Sequence, residues 1–220
     1  IIEDVSPYAP STSNKLQDNI IDLGRAILMP GFVNSHTHLE LSILKGRLRY
    51  SGSFTRWLED LVKAKSKWNK KDYVTSTKQG VAELLNTGTT TVADITNTGY
   101  SVEPTASSHL RGIIYKEVTG LDPERAEETF KENVEFIESL PAHPLIRYGL
   151  SPHAPYSVSG KLLEQIAIFS SNYGTPITIH ISESEEEIQF LKEGSSPLKE
   201  FLKRIGALPC NWQPIGTTPI

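Results

Sequence analysis

The chain has 220 residues, 38% hydrophobic and 22% charged, with a net charge of −4, which suits an ordinary globular protein with one good core and a small second domain. No basic block marks a nucleic-acid surface, no run approaches the roughly 20 apolar residues of a membrane span, and the one cysteine, Cys210, excludes an intramolecular disulfide framework. The opening IIEDVSPYAP lacks the regions of a signal peptide, so a cytoplasmic enzyme or binding protein with a small-molecule partner is expected, with no nucleic acid and no membrane involved.

Residues 1–29 hold short apolar pieces broken by Pro, Ser and Asn. Asn19–Asp22 and Ala26–Met29 read as short strands with a turn near Gly24. Such a pair cannot stand alone, so they suggest part of a separate sheet. From Gly31 the pattern becomes strand then helix, repeated. Phe32–Ser35 reads as the first strand. Phe54–Lys67 and Lys71–Asn86 carry helical apolar spacing, and Gly88 stops the second. Thr89–Ile95 is β-branched and strand-like. A short helix is expected at Glu103–Ser108, a strand at Gly112–Val118, and a helix at Pro123–Ser139 with Pro in its first turn. Ile146–Leu150 reads as a strand. Ser159–Tyr173 reads as a helix capped by Ser157 or Ser159. Pro176–Ile181 reads as a fifth strand, followed by helices Ser184–Lys192 and Pro197–Ile205, closed by Gly194 and Gly206.

Strands alternating with helices mean an α/β fold with a parallel sheet. Five such units do not close an eight-stranded barrel of ~250 residues. The chain therefore reads either as an open sheet or as the front part of a barrel. Both architectures put ligands at the carboxyl ends of the strands.

Those ends carry chemistry. The first ends in His36 and His38, the second in Asp94 and Asn97, the third in Glu117 and Thr119, the fourth in Ser151-Pro152-His153, and the fifth in His180 with Glu183 three residues on. His36 and His38 lie two apart on extended chain, so their side chains share a face. Two imidazoles so placed can share a cation at about 2.0–2.1 Å each, although the spacing alone also arises without function. His180 is the candidate third ligand. Glu183 is placed to carry a proton beside such a metal; alternatively it merely begins the acidic run SESEEE, which suits a helix first turn. For Glu185, Glu186 and Glu187 that helix reading is preferred; for Glu183 the catalytic one. His153 reads equally as a substrate contact or a satisfied loop histidine. Trp57, with Phe54, could cover a flat ring, with helix-face packing the stronger reading for Trp57. Glu117 could bind polar substrate groups or be a paired carboxylate under the site. His109 and His143 fall at the opposite strand ends and read as structural or surface residues.

PGFVNSHTHLE, GTTTVADI, SPHAPYSVS and HISESEEE, in this order and spacing, resemble the amidohydrolase superfamily. The similarity is greatest to its cytosine-deaminase-like and chlorohydrolase-like aminohydrolases, a subgroup that includes methylthioadenosine/S-adenosylhomocysteine, guanine and aminofutalosine deaminases. It runs from about Ile21 to the end. The resemblance implies a metal-bearing (β/α)8 TIM barrel with a small β-sandwich. Residues 1–29 would belong to the sandwich and 30–220 to the barrel through about strand five. It further implies His36, His38 and His180 as ligands of one divalent metal, zinc ahead of iron, with Glu183 as proton shuttle and His153 as a substrate-contacting histidine. A strand-six histidine and a strand-eight aspartate of the family lie outside this sequence, so the chain reads as an N-terminal fragment, inactive alone. The implied reaction is hydrolytic deamination of an aminated heterocycle or nucleoside-like substrate. The alternatives are C–Cl, C–S or amide hydrolysis by the same site, or a non-catalytic truncated barrel. A homodimer fits the resemblance. The SGSFTRWLED segment has Thr55 and Arg56 where adenosine-type members often carry a ribose-binding carboxylate, which argues against methylthioadenosine or S-adenosylhomocysteine as substrate.

Overall fold

The computed structural model describes residues 21–220. Residues up to Pro30 belong to one compact unit and Gly31–Ile220 to another. In the first, residues 21–30 are exposed and lack regular structure. The expected turn is present, with the Gly24 amide donating to Asp22 Oδ1 at 2.7 Å. The strand expected at Ala26–Met29 is not: none of its residues pairs with another strand among those described, and a lone extended segment gains nothing from its apolar face. Asn19 and Ile20 of the other expected strand lie outside the described residues; Ile21 and Asp22 are not in a strand.

The second unit is built on a parallel sheet in the order β1-β2-β3-β4, with β1 Phe32–Thr37, β2 Thr89–Thr96, β3 Arg111–Val118 and β4 Ile146–Pro152. The register sets Thr37 beside Asp94 and Glu117 beside Ser151, so the polar residues at the strand ends fall on one rim. The expected fifth strand is reduced to a single bridge between Leu150 and Ile177. The segment still runs along β4: Leu150 donates to the Pro176 carbonyl, Thr178 to Leu150, and His180 to His153. Its outer edge has no partner strand among the described residues, and Ile177 and Ile181 are exposed. Pro152 of β4 has no amide proton to continue the ladder past Leu150, yet His180 is still delivered to the rim.

The helices are α1 Phe54–Lys65, α2 Lys70–Asn86, α3 Val102–Ala106, α4 Ala126–Glu138, α5 Gly160–Tyr173, α6 Glu185–Glu193 and α7 Pro197–Arg204. α3 begins one residue before the expected helix and stops two residues before its end. Local chemistry sets the helix ends. Asn69 and Asp72 form a reciprocal capping box at the start of α2. Ser159, not Ser157, caps α5, which ends at left-handed Gly174. Ser184 caps α6. α4 and α5 cover β3 and β4 through Val118, Ile137, Leu150, Leu162 and Ile166. Where β1 leaves the sheet, residues Leu39–Leu44 turn into a 3-10 helix that the sequence reading missed. α2 packs closely on it because Gly80 has no side chain; a Cβ there would come within 2.1 Å of Ser42 Oγ. Over the strand ends, α1, α6 and α7 join the loop after β4 in a second cluster around Phe54, Tyr156, Phe190, Leu198 and Phe201.

Candidate metal centre and cavity

A cavity of about 660 Å³ opens above the strand ends. Its floor carries His38, Glu117, Asn97, His153, His180 and Glu183, and its wall includes Trp57, Leu58, Leu61, Leu202 and Ile205. Its lining combines polar and apolar residues, as small-molecule sites commonly do.

His36, His38 and His180 each present a ring nitrogen within 4.8 Å of the others. His38 Nε2 and His180 Nε2 are 3.2 Å apart. Two nitrogens bound tetrahedrally at about 2.05 Å would be about 3.3 Å apart, so the pair fits one cation. His180 Nδ1 donates to the His153 carbonyl at 2.9 Å. A carbonyl can only accept, so the proton is on Nδ1 and Nε2 keeps its lone pair for a ligand role. Ligation takes the neutral imidazole, a form that burial favours for His38 and His36. Burial lowers His38 to about 4, with Glu117 opposing and the other histidines assisting. His36 is lowered by burial and by His180.

His153 lies beside this group, its ring centre 5.3 Å from that of His180. Its Nδ1 meets Ser157 Oγ at 2.7 Å, and Ser157 Oγ donates to the Ala154 carbonyl. With the hydroxyl proton so used, Nδ1–H donates and Nε2 is left as an acceptor. Burial lowers its pKa, and Glu117 opposes this. For Glu117 itself burial alone would raise the carboxyl, but His153, His38, the Asn97 amide and Lys65 outweigh it and keep it low and ionised. Asn97 Nδ2 donates to Glu117 Oε1 at 2.7 Å.

Glu183 reaches the cavity through an unusual turn. Ser182 takes a left-handed φ of 55°, a conformation that costs a non-glycine residue on the order of 1–3 kcal/mol. Fully buried Glu187 holds this turn, accepting the Glu183 amide at 2.7 Å. Burial raises the Glu183 carboxyl and His180 pulls it down. The acidic run therefore does more than favour a helix terminus. Glu187 braces the turn, and Glu186 accepts the Phe54 and Thr55 amides at 2.9 Å each, capping α1 from another helix. Of the run's last three residues, only Glu185 stays exposed with no bond beyond its own helix.

Trp57 lines the cavity and also packs against the apolar cluster. Tyr156 is buried against Phe54 and His153, and its hydroxyl has no partner. His109 is exposed, and His143 accepts the Leu145 amide, away from the site. The sequence reading passed over Glu40, which is buried and accepts six hydrogen bonds, and Lys116, which donates to the Asn97 carbonyl at 2.6 Å. The signal for Glu40 was a carboxylate between two leucines directly after the histidine pair.

A parallel α/β sheet with clustered histidines over its carboxyl edge defines a protein with a metal-type site on a barrel-like scaffold. The Amidohydrolase family model matches residues 27–207, and the chain belongs to that family. It is 30% identical over 204 residues to the 5-methylthioadenosine/S-adenosylhomocysteine deaminase of Carboxydothermus hydrogenoformans, covering 86% of this chain and 46% of that protein. Among solved structures it resembles Helicobacter pylori aminofutalosine deaminase in complex with methylthio-coformycin (TM-score 0.67, 22% identity, 80% of this chain and 42% of that one). It also resembles an adenosine deaminase from Xanthomonas campestris with bound zinc (TM-score 0.65, 22% identity, 81% and 42%). The chain thus spans less than half the length of these relatives. Its fold is part of an amidohydrolase barrel. Among the described residues, no helix is long and apolar enough to cross a membrane.

Proposed function

We propose that this chain is the metal-binding part of a hydrolase that releases ammonia from an aminated heterocycle, with adenosine-like nucleosides the leading substrate class. The observation that carries the reading is the histidine cluster, two of whose rings, His38 and His180, line the same cavity as Glu183 and His153. The substrate class rests on the name of the 30% identical relative, while Thr55 and Arg56 in SGSFTRWLED turn the reading away from methylthioadenosine and S-adenosylhomocysteine themselves toward other adenosine-like nucleosides. In this reading residues 30–220 are the first part of the barrel and 1–29 part of a small sandwich. His36, His38 and His180 hold one divalent ion, zinc ahead of iron.

When bound, the ion supplies the polarisation that acidifies a water molecule. Glu183 takes one proton of that water on a carboxylate oxygen and gives it to the ring nitrogen next to the carbon under attack; the second proton, from the added hydroxyl, passes by the same carboxylate to the amino group, and the C–N bond breaks to release ammonia as the C=O bond forms. Its raised pKa suits both halves of that task. His153 Nε2 accepts a hydrogen bond from the substrate, and ionised Glu117 accepts from its polar groups. Trp57 and its apolar neighbours cover the ring and exclude bulk water.

The test is ammonia release by the full-length protein on a panel of aminated purine nucleosides, with chloride and thiol release followed in parallel on their 6-chloro and 6-methylthio analogues. Glu183→Gln is expected to retain its metal and lose at least about a hundredfold in turnover. Normal turnover in that variant would refute the assignment. Chloride release in place of ammonia would move the reading to a different leaving group.

A further inference from the structure

We propose that Glu40 is a positioning residue for this site, acting through Asn97 on Glu117. The proposal rests on the cavity being the functional site and adds a residue that no substrate or metal touches in that reading.

Glu40 lies two residues after His38, in the first turn of the 3-10 helix, and is 2% exposed. Its two oxygens are saturated from one stretch, the last residue of β2 and the β2–α3 connection. Oε1 accepts from Thr96 Oγ1 at 2.5 Å, Thr98 Oγ1 at 2.6 Å, the Tyr100 amide at 3.1 Å and the Ser101 amide at 3.3 Å. Oε2 accepts the Asn97 and Thr98 amides, both at 3.1 Å. Burying a carboxylate is costly unless it is fully bonded. Here every bond is spent on a segment of six residues, Thr96 to Ser101.

That segment carries Asn97. Glu40 holds the Asn97 amide, Lys116 Nζ holds its carbonyl at 2.6 Å, and its side-chain Nδ2 donates to Glu117 Oε1 at 2.7 Å. Asn97 is thus fixed at three points, one of which orients the carboxylate assigned to substrate polar groups. The strand-one end that supplies His36 and His38 and the loop that steers Glu117 share one anchor. A hydrogen-bonded chain of this kind transmits misplacement, because each link is directional.

The experiment is a double-mutant cycle on the full-length enzyme with Glu40→Gln, Asn97→Ala and the pair. Glutamine keeps the shape but turns an NH2 toward the Asn97 and Thr98 amides, or toward the other four donors. Each single variant is expected to lower kcat/KM about tenfold, and the double to be no worse than the poorer single. A role confined to folding predicts multiplicative effects, and that result would overturn the proposal, as would Asn97→Ala within twofold of the parent. Thr98→Val, which removes one of the six donors, takes the place of Glu40→Gln in the cycle if that variant does not fold. A second readout needs no substrate: the crystal structure of Glu40→Gln or Thr98→Val is expected to lose the Asn97–Glu117 contact. Retention of that contact at its present length overturns the proposal, whether or not the protein proves to be a deaminase.

Discussion

Replacing Asp94 by Asn should remove a pH dependence from folding. Asp94 is fully buried at the end of β2. Its Oδ1 accepts the Leu39 amide at 2.8 Å and its Oδ2 the Ser101 hydroxyl at 2.6 Å. Burial pushes the carboxyl up to about 7; the bonds from Ser101 and Leu39 pull against this, and the neighbouring Glu40 adds to it. A carboxyl that is raised in the fold holds its proton more tightly there than in the unfolded chain, where it titrates near 3.8. Between about pH 4 and pH 7 the native state therefore binds more protons than the unfolded state, and stability falls as pH rises through that window. The whole rise corresponds to about 4 kcal/mol, a ceiling that relaxation around the charge will reduce. Asparagine can accept from Leu39 and donate to Ser101 while staying neutral. Urea unfolding of both proteins across this range measures the effect. Groups remote from Asp94 are the same in both proteins and cancel in the difference. The parent should lose stability relative to Asp94→Asn as pH rises to 7 and run parallel to it above. Parallel curves throughout would show that Asp94 is already ionised in the fold at low pH, and the burial argument would be wrong.

Two further outcomes follow from the same structure. His180→Ala should abolish stoichiometric zinc binding measured by elemental analysis, since it removes a ring whose nitrogen is 3.2 Å from that of His38; a full equivalent of zinc retained would mean the cluster is not the metal site. Phe190→Ala should cost about 3–5 kcal/mol in urea unfolding, because Phe190 is fully buried and stacks on Trp212 with ring centres 4.1 Å apart; a loss under about 1 kcal/mol would mean that the α6–α7 cap contributes little to the fold.

Much of the scaffold was legible because its signals are local. Period and punctuation located α1, α2, α4, α5, α6 and α7, and β-branched runs located β2 and β3. The histidines were legible because strand ends are where such a sheet carries its chemistry, and two of them lie two apart on one strand. What could not be read locally depends on partners distant in sequence. Pro176–Ile181 has the composition of a strand, but strand character is a property of the ladder; beside Pro152, which has no amide proton to donate, it remains a single bridge.

The carboxylates make the same point more sharply. Glu186 looked like an ornament of a helix first turn, yet it accepts amides about 130 residues earlier in the chain. Glu187, beside it, is fully buried and holds the strained turn that sets Glu183. Glu40 and Asp94 sit in apolar sequence contexts and bond to the two sides of Ser101, through its amide and its hydroxyl. A surface charge on this chain is one of many and carries little energy. A buried one must find its donors, and those donors are loop amides that only the folded chain brings within reach. The candidate site residues are therefore visible in the sequence as residue types, while the groups that hold them in place are visible only as geometry.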